Sequence, residues 1–169
     1  EVALNKALEI KPDFEGALQN LGKSLISEGR VGEAIEQFEK ALSLNPNSPD
    51  HRQSLGIAFL QKGDFASAEF NFNEAINLDP LCSEAHRSLT RFIKYTPTHP
   101  HLQQMMSVLK QPEIEPEGKC HLFFGLAKAF DDIGDYASAF SHLKKGNDLR
   151  KHILPYNSKE EEKMFDDIK

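Results

Sequence analysis

Seven histidines, two cysteines and the adjacent acids Asp131-Asp132 are the side chains of this 169-residue chain to weigh first for chemistry. His99-Pro100-His101 could offer two imidazoles to a metal, but the intervening proline predicts an extended segment that sends the rings apart. Cys82, Cys120, His86 and His121 lack the close ligand spacing of a zinc site. Asp131-Asp132 resembles a catalytic acid pair, yet neighbours on a helix diverge by about 100°, which favours a solvated helix end. Gly118-Lys119 lacks both the leading Gly and the following Ser or Thr of a phosphate loop. With no nucleophile, phosphate cradle or metal centre, the chain reads as non-catalytic and without a cofactor of its own. The remaining candidate is charge. Arg87, Arg91 and Lys94 stand at i, i+4 and i+7, which predicts one shared helix face able to attract an acidic segment. The same residues also fit a solvated face balanced by nearby Glu and Asp, and both readings stay open.

The elements that must position these residues follow from an internal repeat. Leu21, Gly22, Gly29, Ala34, Phe38, Ala41 and Pro46 return in order and type as Leu55, Gly56, Gly63, Ala68, Phe72, Ala75 and Pro80, each 34 residues later. Gly22 with Ala34, and Gly56 with Ala68, are small where two antiparallel helices must cross. The later glycines suit the turn between helices, and the prolines stop each second helix. The period and pattern resemble the tetratricopeptide repeat, TPR, whose helix-turn-helix units stack into a solenoid. The resemblance implies an all-α fold, a right-handed superhelix of antiparallel helix pairs, acting as a surface for protein or peptide partners; an architectural reading, in which the repeats hold oligomers together, stays open.

Six segments are expected along the chain. Residues 1–14 read as the second helix of a truncated repeat, with Leu4, Ala7 and Ile10 on it and Pro12 closing it. Full units follow at 15–48 and 49–82, the first capped by Asp13 and the second by Ser48 with Pro49 at the first helical position. Residues 83–119 read as a degenerate unit. Thr90 replaces the small Gly, Leu89 and Ile93 stay on the first helix, and a break falls at Thr96–Pro100. Its second helix resumes at about His101 to Lys110, and a loop runs from Gln111 to Gly118. A fourth unit, 120–153, restores the signature, since Gly134-Asp135-Tyr136-Ala137-Ser138-Ala139 copies Gly63-Asp64-Phe65-Ala66-Ser67-Ala68. The last segment, 154–169, holds a linker and a capping box at Ser158-Lys159-Glu160-Glu161. The box opens a helix with Met164, Phe165 and Ile168 on one face. That helix is expected to fray, to pack on a neighbouring molecule or to bind back onto the last repeat.

In TPR arrays first-helix positions 2, 5, 9, 12 and 13 line the concave groove. The resemblance places Gln19, Lys23, Gln53, Ile57, Arg87, Arg91, Lys94, Tyr95 and Lys128 there, and five of these are basic. The implied partner is a peptide or protein of acidic character. The carboxylate clamp of TPR co-chaperones does not match, because Gln19, Lys23, Ser54, Glu84 and Ser88 occupy its positions. The Asn ladder of glycosyltransferase arrays fails as well, with Asn20 followed by Ser54 and Ser88.

Residues 97–169 narrow the family further. Ala129-Phe130-Asp131-Asp132-Ile133-Gly134-Asp135-Tyr136, then Ala139-Phe140, Gly146-Asn147, Leu149-Arg150 and Leu154-Pro155-Tyr156, with His99-Pro100-His101-Leu102 upstream, are similar to the segment preceding the catalytic domain of bacterial TPR-containing sulfotransferases. That resemblance implies a sulfotransferase domain in cis that uses phosphoadenosine phosphosulfate, with none of its phosphate-binding residues in this chain.

Composition fits these expectations. Hydrophobic residues make up 39% of the chain and Trp is absent, enough apolar content for a packed core. A net charge of −6 argues against nucleic acid as a partner. No run of 18 apolar residues predicts a membrane span, and two widely spaced cysteines favour a reducing, cytoplasmic setting. The start of the sequence within a repeat is read as a fragment of something longer.

Overall fold

A computed structural model describes residues 2–154; the expected helix from Ser158 lies outside the described residues. Every regular element described is an α-helix: α1 (Val2–Ile10), α2 (Glu15–Ser27), α3 (Val31–Leu44), α4 (Pro49–Lys62), α5 (Phe65–Leu78), α6 (Ser83–Leu89), α7 (Pro100–Val108), α8 (Pro116–Ile133) and α9 (Tyr136–Ile153). The chain divides into two compact units, one ending at Lys94 and the other beginning at Tyr95.

In the first unit, helices α1 to α6 pack in sequence order as neighbours, as short connections between helices require. The glycine of each repeat is where the packing is tightest. A Cβ added at Gly22 would lie 2.7 and 2.8 Å from the Cζ and Cδ1 of Phe38, and one at Gly56 would lie 2.6 and 2.7 Å from the Cε1 and Cδ1 of Phe72. Both rings are fully buried. Phe38 joins Leu21, Leu25, Ala34, Ile35, Leu55 and Ala58 in one core cluster. Phe72 joins Ala68, Ala75, Ile76, Ala85 and Leu89 in the next. Leu55 and Leu89 therefore belong to the core of the unit before their own, which is how one repeat stacks on another.

The duplicated hexapeptide folds the same way twice. Gly63 ends α4 at φ 83°, and the Asp64 side chain accepts from the backbone N–H of Ser67 at 3.1 Å. Gly134 ends α8 at φ 84°, and Asp135 accepts from Ser138 N–H at 3.0 Å. In both cases the side-chain and backbone hydrogen bonds from the serine hold the aspartate carboxyl below its ordinary range.

Several local expectations are corrected. Asp13 does not cap α2, whose N-cap is Phe14 with no side-chain hydrogen bond; Ser48 does cap α4, accepting from His51 N–H at 3.2 Å. The break in the degenerate unit is wider than Thr96–Pro100, because α6 ends at Leu89. Thr90 Oγ1 donates to the Arg87 carbonyl at 2.7 Å. The chain then turns through shorter-range bonds, Thr90 N to Arg87 O, Arg91 N to Ser88 O and Phe92 N to Leu89 O, a 3₁₀-type ending. Phe92 swings onto Phe65 and Phe72, with ring centroids 6.4 and 6.2 Å apart. Ile93 therefore lies beyond the helix rather than on it.

In the second unit, α8 begins at Pro116, inside the stretch expected to be a loop and ahead of the expected boundary at residue 120. Gly118-Lys119 is thus helical. Pro100 starts α7 rather than extending the chain, and the His99 side chain caps it by accepting from His101 N–H at 3.2 Å. Asp132 is not a solvated helix end. Its carboxylate is paired with Lys128 and accepts from Tyr95 N–H at 3.2 Å.

Candidate functional site

The first helices of three successive repeats, α2, α4 and α6, line a concave pocket of about 520 Å³, whose polar lining includes Glu15, Gln19, Lys23, Asp50, His51, Gln53, Ser54 and Glu84, with Ile26 and Ile57 as apolar members. Its side chains are held in place by one another. The buried His51 ring has Nε2 2.7 Å from Glu15 Oε1 and Nδ1 3.1 Å from Gln19 Oε1. The Gln19 amide then donates to Ser54 Oγ at 2.7 Å. Across the pocket, the Gln53 amide donates to Glu84 and accepts from the Cys82 thiol at 2.9 Å. Burial is the main reason the Cys82 thiol is pushed up to about 11, so it stays protonated as a donor. Two glutamines fixed on successive units can present amide groups to an extended backbone at little further cost in side-chain entropy.

Of the nine residues expected to line a groove, the structure brings Gln19, Lys23, Gln53 and Ile57 together in this pocket. It does not place Arg87, Arg91 and Lys94 on one helix face. Arg87 lies on α6, whereas Arg91 and Lys94 follow its last residue, Leu89. The i, i+4, i+7 argument needs a helix about one and a half turns longer than the one that ends at Leu89. Tyr95 is also not a groove residue. It is buried, its hydroxyl lies 2.6 Å from His101 Nδ1, and burial pushes its phenol pKa upward. Lys128, in the second unit, is committed to Asp132 and sits 5.4 Å from the centre of the Tyr95 ring.

The sign of the pocket differs from the expected basic groove, since three carboxylates, Glu15, Asp50 and Glu84, face it against the single ammonium of Lys23. None of these three carboxylates is among the nine expected residues, although Asp50 and Glu84 stand at position 2 of their first helices. His51 was missed too, though it left a signal. It stands at the position held by Ala17 and Ala85 in the flanking units, both buried, and a polar residue replacing a buried small one needs partners.

Among the described residues, no three His, Cys, Asp or Glu side chains are grouped to hold a metal. No described helix is long and apolar enough to cross a membrane. Both cysteines are free thiols.

Residues 22–63 match a sequence model described as TPR repeat, and residues 52–80 match one described as tetratricopeptide repeat. The first unit carries tetratricopeptide repeats. No curated protein matches the chain. Among solved structures, that of MamA is similar at TM-score 0.63 and 22% identity, over 91% of this chain and 88% of MamA. PilF of Pseudomonas aeruginosa is similar at TM-score 0.68 and 20% identity, over 81% of this chain and 61% of PilF. BtubC from P. vanneervenii aligns at TM-score 0.61 and 17% identity, over 85% of this chain and 66% of BtubC. At these identities the likeness is one of fold: an all-α TPR architecture. TPR repeats serve as surfaces for other proteins.

Proposed function

We propose that the first unit is a non-catalytic TPR scaffold that binds an extended segment of a partner protein in the α2/α4/α6 pocket. The observation that carries this reading is the pair of prepositioned amides, Gln19 and Gln53, on successive repeats facing one concave cavity. Three carboxylates in the same wall disfavour an acidic segment there, so the bound stretch is neutral or basic and the earlier acidic preference is set aside for this pocket. A random peptide library displayed against the protein tests both points. Enriched peptides should lack an excess of Asp and Glu. Their affinity should fall about tenfold with Gln53→Ala, the scale of a contact residue worth about 1.4 kcal/mol. The double variant R87A/R91A should leave binding unchanged. Acid-rich peptides whose affinity drops with R87A/R91A, and not with Gln53→Ala, would overturn this assignment.

The wider context is a separate proposal. The motifs over residues 97–169 support a role as the part preceding a sulfotransferase domain in a bacterial, cytoplasmic protein, with phosphoadenosine phosphosulfate bound only by that domain. Reading the coding sequence after Lys169 tests it, and a downstream domain without a phosphate-binding loop after a strand would refute it.

A further inference from the structure

His51 is only 4% exposed, and its ring is held at both nitrogens. Nε2 lies 2.7 Å from Glu15 Oε1 and Nδ1 lies 3.1 Å from Gln19 Oε1. Both facing atoms are acceptors, one a carboxylate oxygen and the other an amide carbonyl. A neutral imidazole has one N–H and one bare nitrogen, whereas the imidazolium has two N–H groups. Only the imidazolium donates to both partners. The Gln19 amide is committed on its other side as well, since its nitrogen donates to Ser54 Oγ at 2.7 Å.

When the ring loses a proton, Nε2 keeps its N–H on Glu15, the charge-assisted and shorter of the two bonds. Nδ1 then turns acceptor and meets the Gln19 carbonyl, which leaves a buried hydrogen bond unmade. Turning the amide by 180° removes the conflict. Its nitrogen donates to Nδ1 and its oxygen accepts from the Ser54 hydroxyl, which can serve in either role. Glu15, His51, Gln19 and Ser54 thus make a complete set of bonds in two ways that differ by one proton and one amide turn. The turn exchanges donor and acceptor at the pocket wall. The charge of the wall changes with it. Its charged lining groups are Glu15 and Lys23 on α2, Asp50 on α4 and Glu84 on α6; α3 supplies Phe38, the linker before α4 supplies Ser48, and α5 supplies nothing among the described residues. A neutral ring leaves three carboxylates against one ammonium, and a charged ring sets a second cation beside Lys23.

We propose that the proton on His51 sets the orientation of the Gln19 amide, and that a basic segment binds the pocket in exchange for that proton, which passes from Nδ1 to the buffer; the second half rests on the pocket reading given above. A ligand that favours the neutral ring binds more tightly as pH rises. The first arm of the test needs no peptide. Spectra (¹⁵N–¹H) of the free full chain from about pH 5 to pH 9, a range that brackets imidazole titration, follow the His51 ring nitrogens and the Gln19 side-chain NH₂ together. The Gln19 signals should move with the midpoint of the ring, and in His51→Gln they should no longer respond. The co-titration is read on the wild type, so it decides even if His51→Gln fails to fold. The second arm is calorimetry in two buffers of different ionisation enthalpy. Its probe is an acetylated, amidated library peptide that contains Lys or Arg and no His, Asp or Glu. Binding should release a proton, and affinity should rise about threefold or more from pH 5.5 to pH 8, both effects being lost in His51→Gln. A ring that keeps one protonation state throughout, or Gln19 signals that ignore its titration, would overturn the amide switch. Binding that Gln53→Ala weakens but that neither releases a proton nor varies with pH would overturn the exchange and leave the pocket reading intact, as would a pH dependence that persists in His51→Gln. Peptides indifferent to Gln53→Ala would refute the pocket reading and the exchange that rests on it, and the free-chain titration would still decide the amide switch.

Discussion

Replacing a glycine by alanine should have opposite effects at two helical positions of the same repeat. At Gly32, in the first turn of α3, an added Cβ meets nothing within 4 Å. Alanine there gains helix propensity and reduces unfolded-chain entropy, a stabilisation of about 0.5–1 kcal/mol. At Gly22 the same methyl group gains the same propensity term but lands under 3 Å from three atoms of the Phe38 ring. That ring is 1% exposed and packed among Leu21, Leu25, Ala34, Ile35, Leu55 and Ala58, so displacing it disturbs the core. Overpacking of this severity costs about 2–3 kcal/mol, leaving a net loss of about 1–2 kcal/mol once the propensity gain of about 1 kcal/mol is subtracted. Stability in an array is partly local. The assay is therefore native-state hydrogen exchange of the α2 and α3 amides, where a loss of 1–2 kcal/mol appears as roughly five- to thirtyfold faster opening. Shortening the ring with Phe38→Leu should remove the clash, so that Gly22→Ala in that background no longer destabilises. Shifts of the same sign at Gly22 and Gly32, or a Gly22→Ala penalty unchanged in the Phe38→Leu background, would refute the argument that the ring is what the glycine accommodates.

Two further outcomes follow from the ionisable groups. The carboxyls of Asp64 and Asp135 are held below their ordinary range by Ser67 and Ser138, so their contribution to stability is full above the unfolded-state value of about 3.9 and is lost as pH falls through the depressed folded value. Asp64→Ala with Asp135→Ala should lower the melting temperature at pH 7 and flatten its decline below about pH 4 relative to wild type; parallel acid profiles would contradict this. Because the Cys82 thiol titrates near 11, its alkylation by iodoacetamide at pH 8, followed by peptide mass spectrometry, should run about a hundredfold slower than that of an exposed cysteine and accelerate steadily up to that pH. Rapid labelling at neutral pH would show that burial does not protect it.

Much of the fold was legible because each repeat residue carries a single mechanical task. Gly22 and Gly56 exist to admit Phe38 and Phe72, and the Gly-Asp-x-Ala-Ser-Ala copies fix both a turn and a cap with backbone and short side chains alone. Where a segment departed from the repeat, local reading failed. Thr90 stands where the other units have glycine, but the helix also stops there, α6 ending at Leu89 with the Thr90 hydroxyl on the Arg87 carbonyl, and that end removes the charge stripe built on Arg91 and Lys94. The pocket was half legible. Gln19, Lys23, Gln53 and Ile57 follow from repeat position, whereas His51, Glu15 and Glu84 matter through bonds that cross between units, and no periodicity in one chain encodes such pairs. Tyr95 and Asp132 were misjudged for the same reason, since their partners are 37 residues apart.

The most direct test of peptide recognition by the first unit is a ¹⁵N–¹H titration of the labelled full chain with a peptide selected from the display library. The account predicts that the largest shifts fall on the side-chain amides of Gln19 and Gln53 and on the backbone amides of Lys23, His51 and Ile57, with Arg91 and Lys94 little changed. Shifts centred on Arg87, Arg91 and Lys94, with the two glutamine amides unmoved, would contradict it.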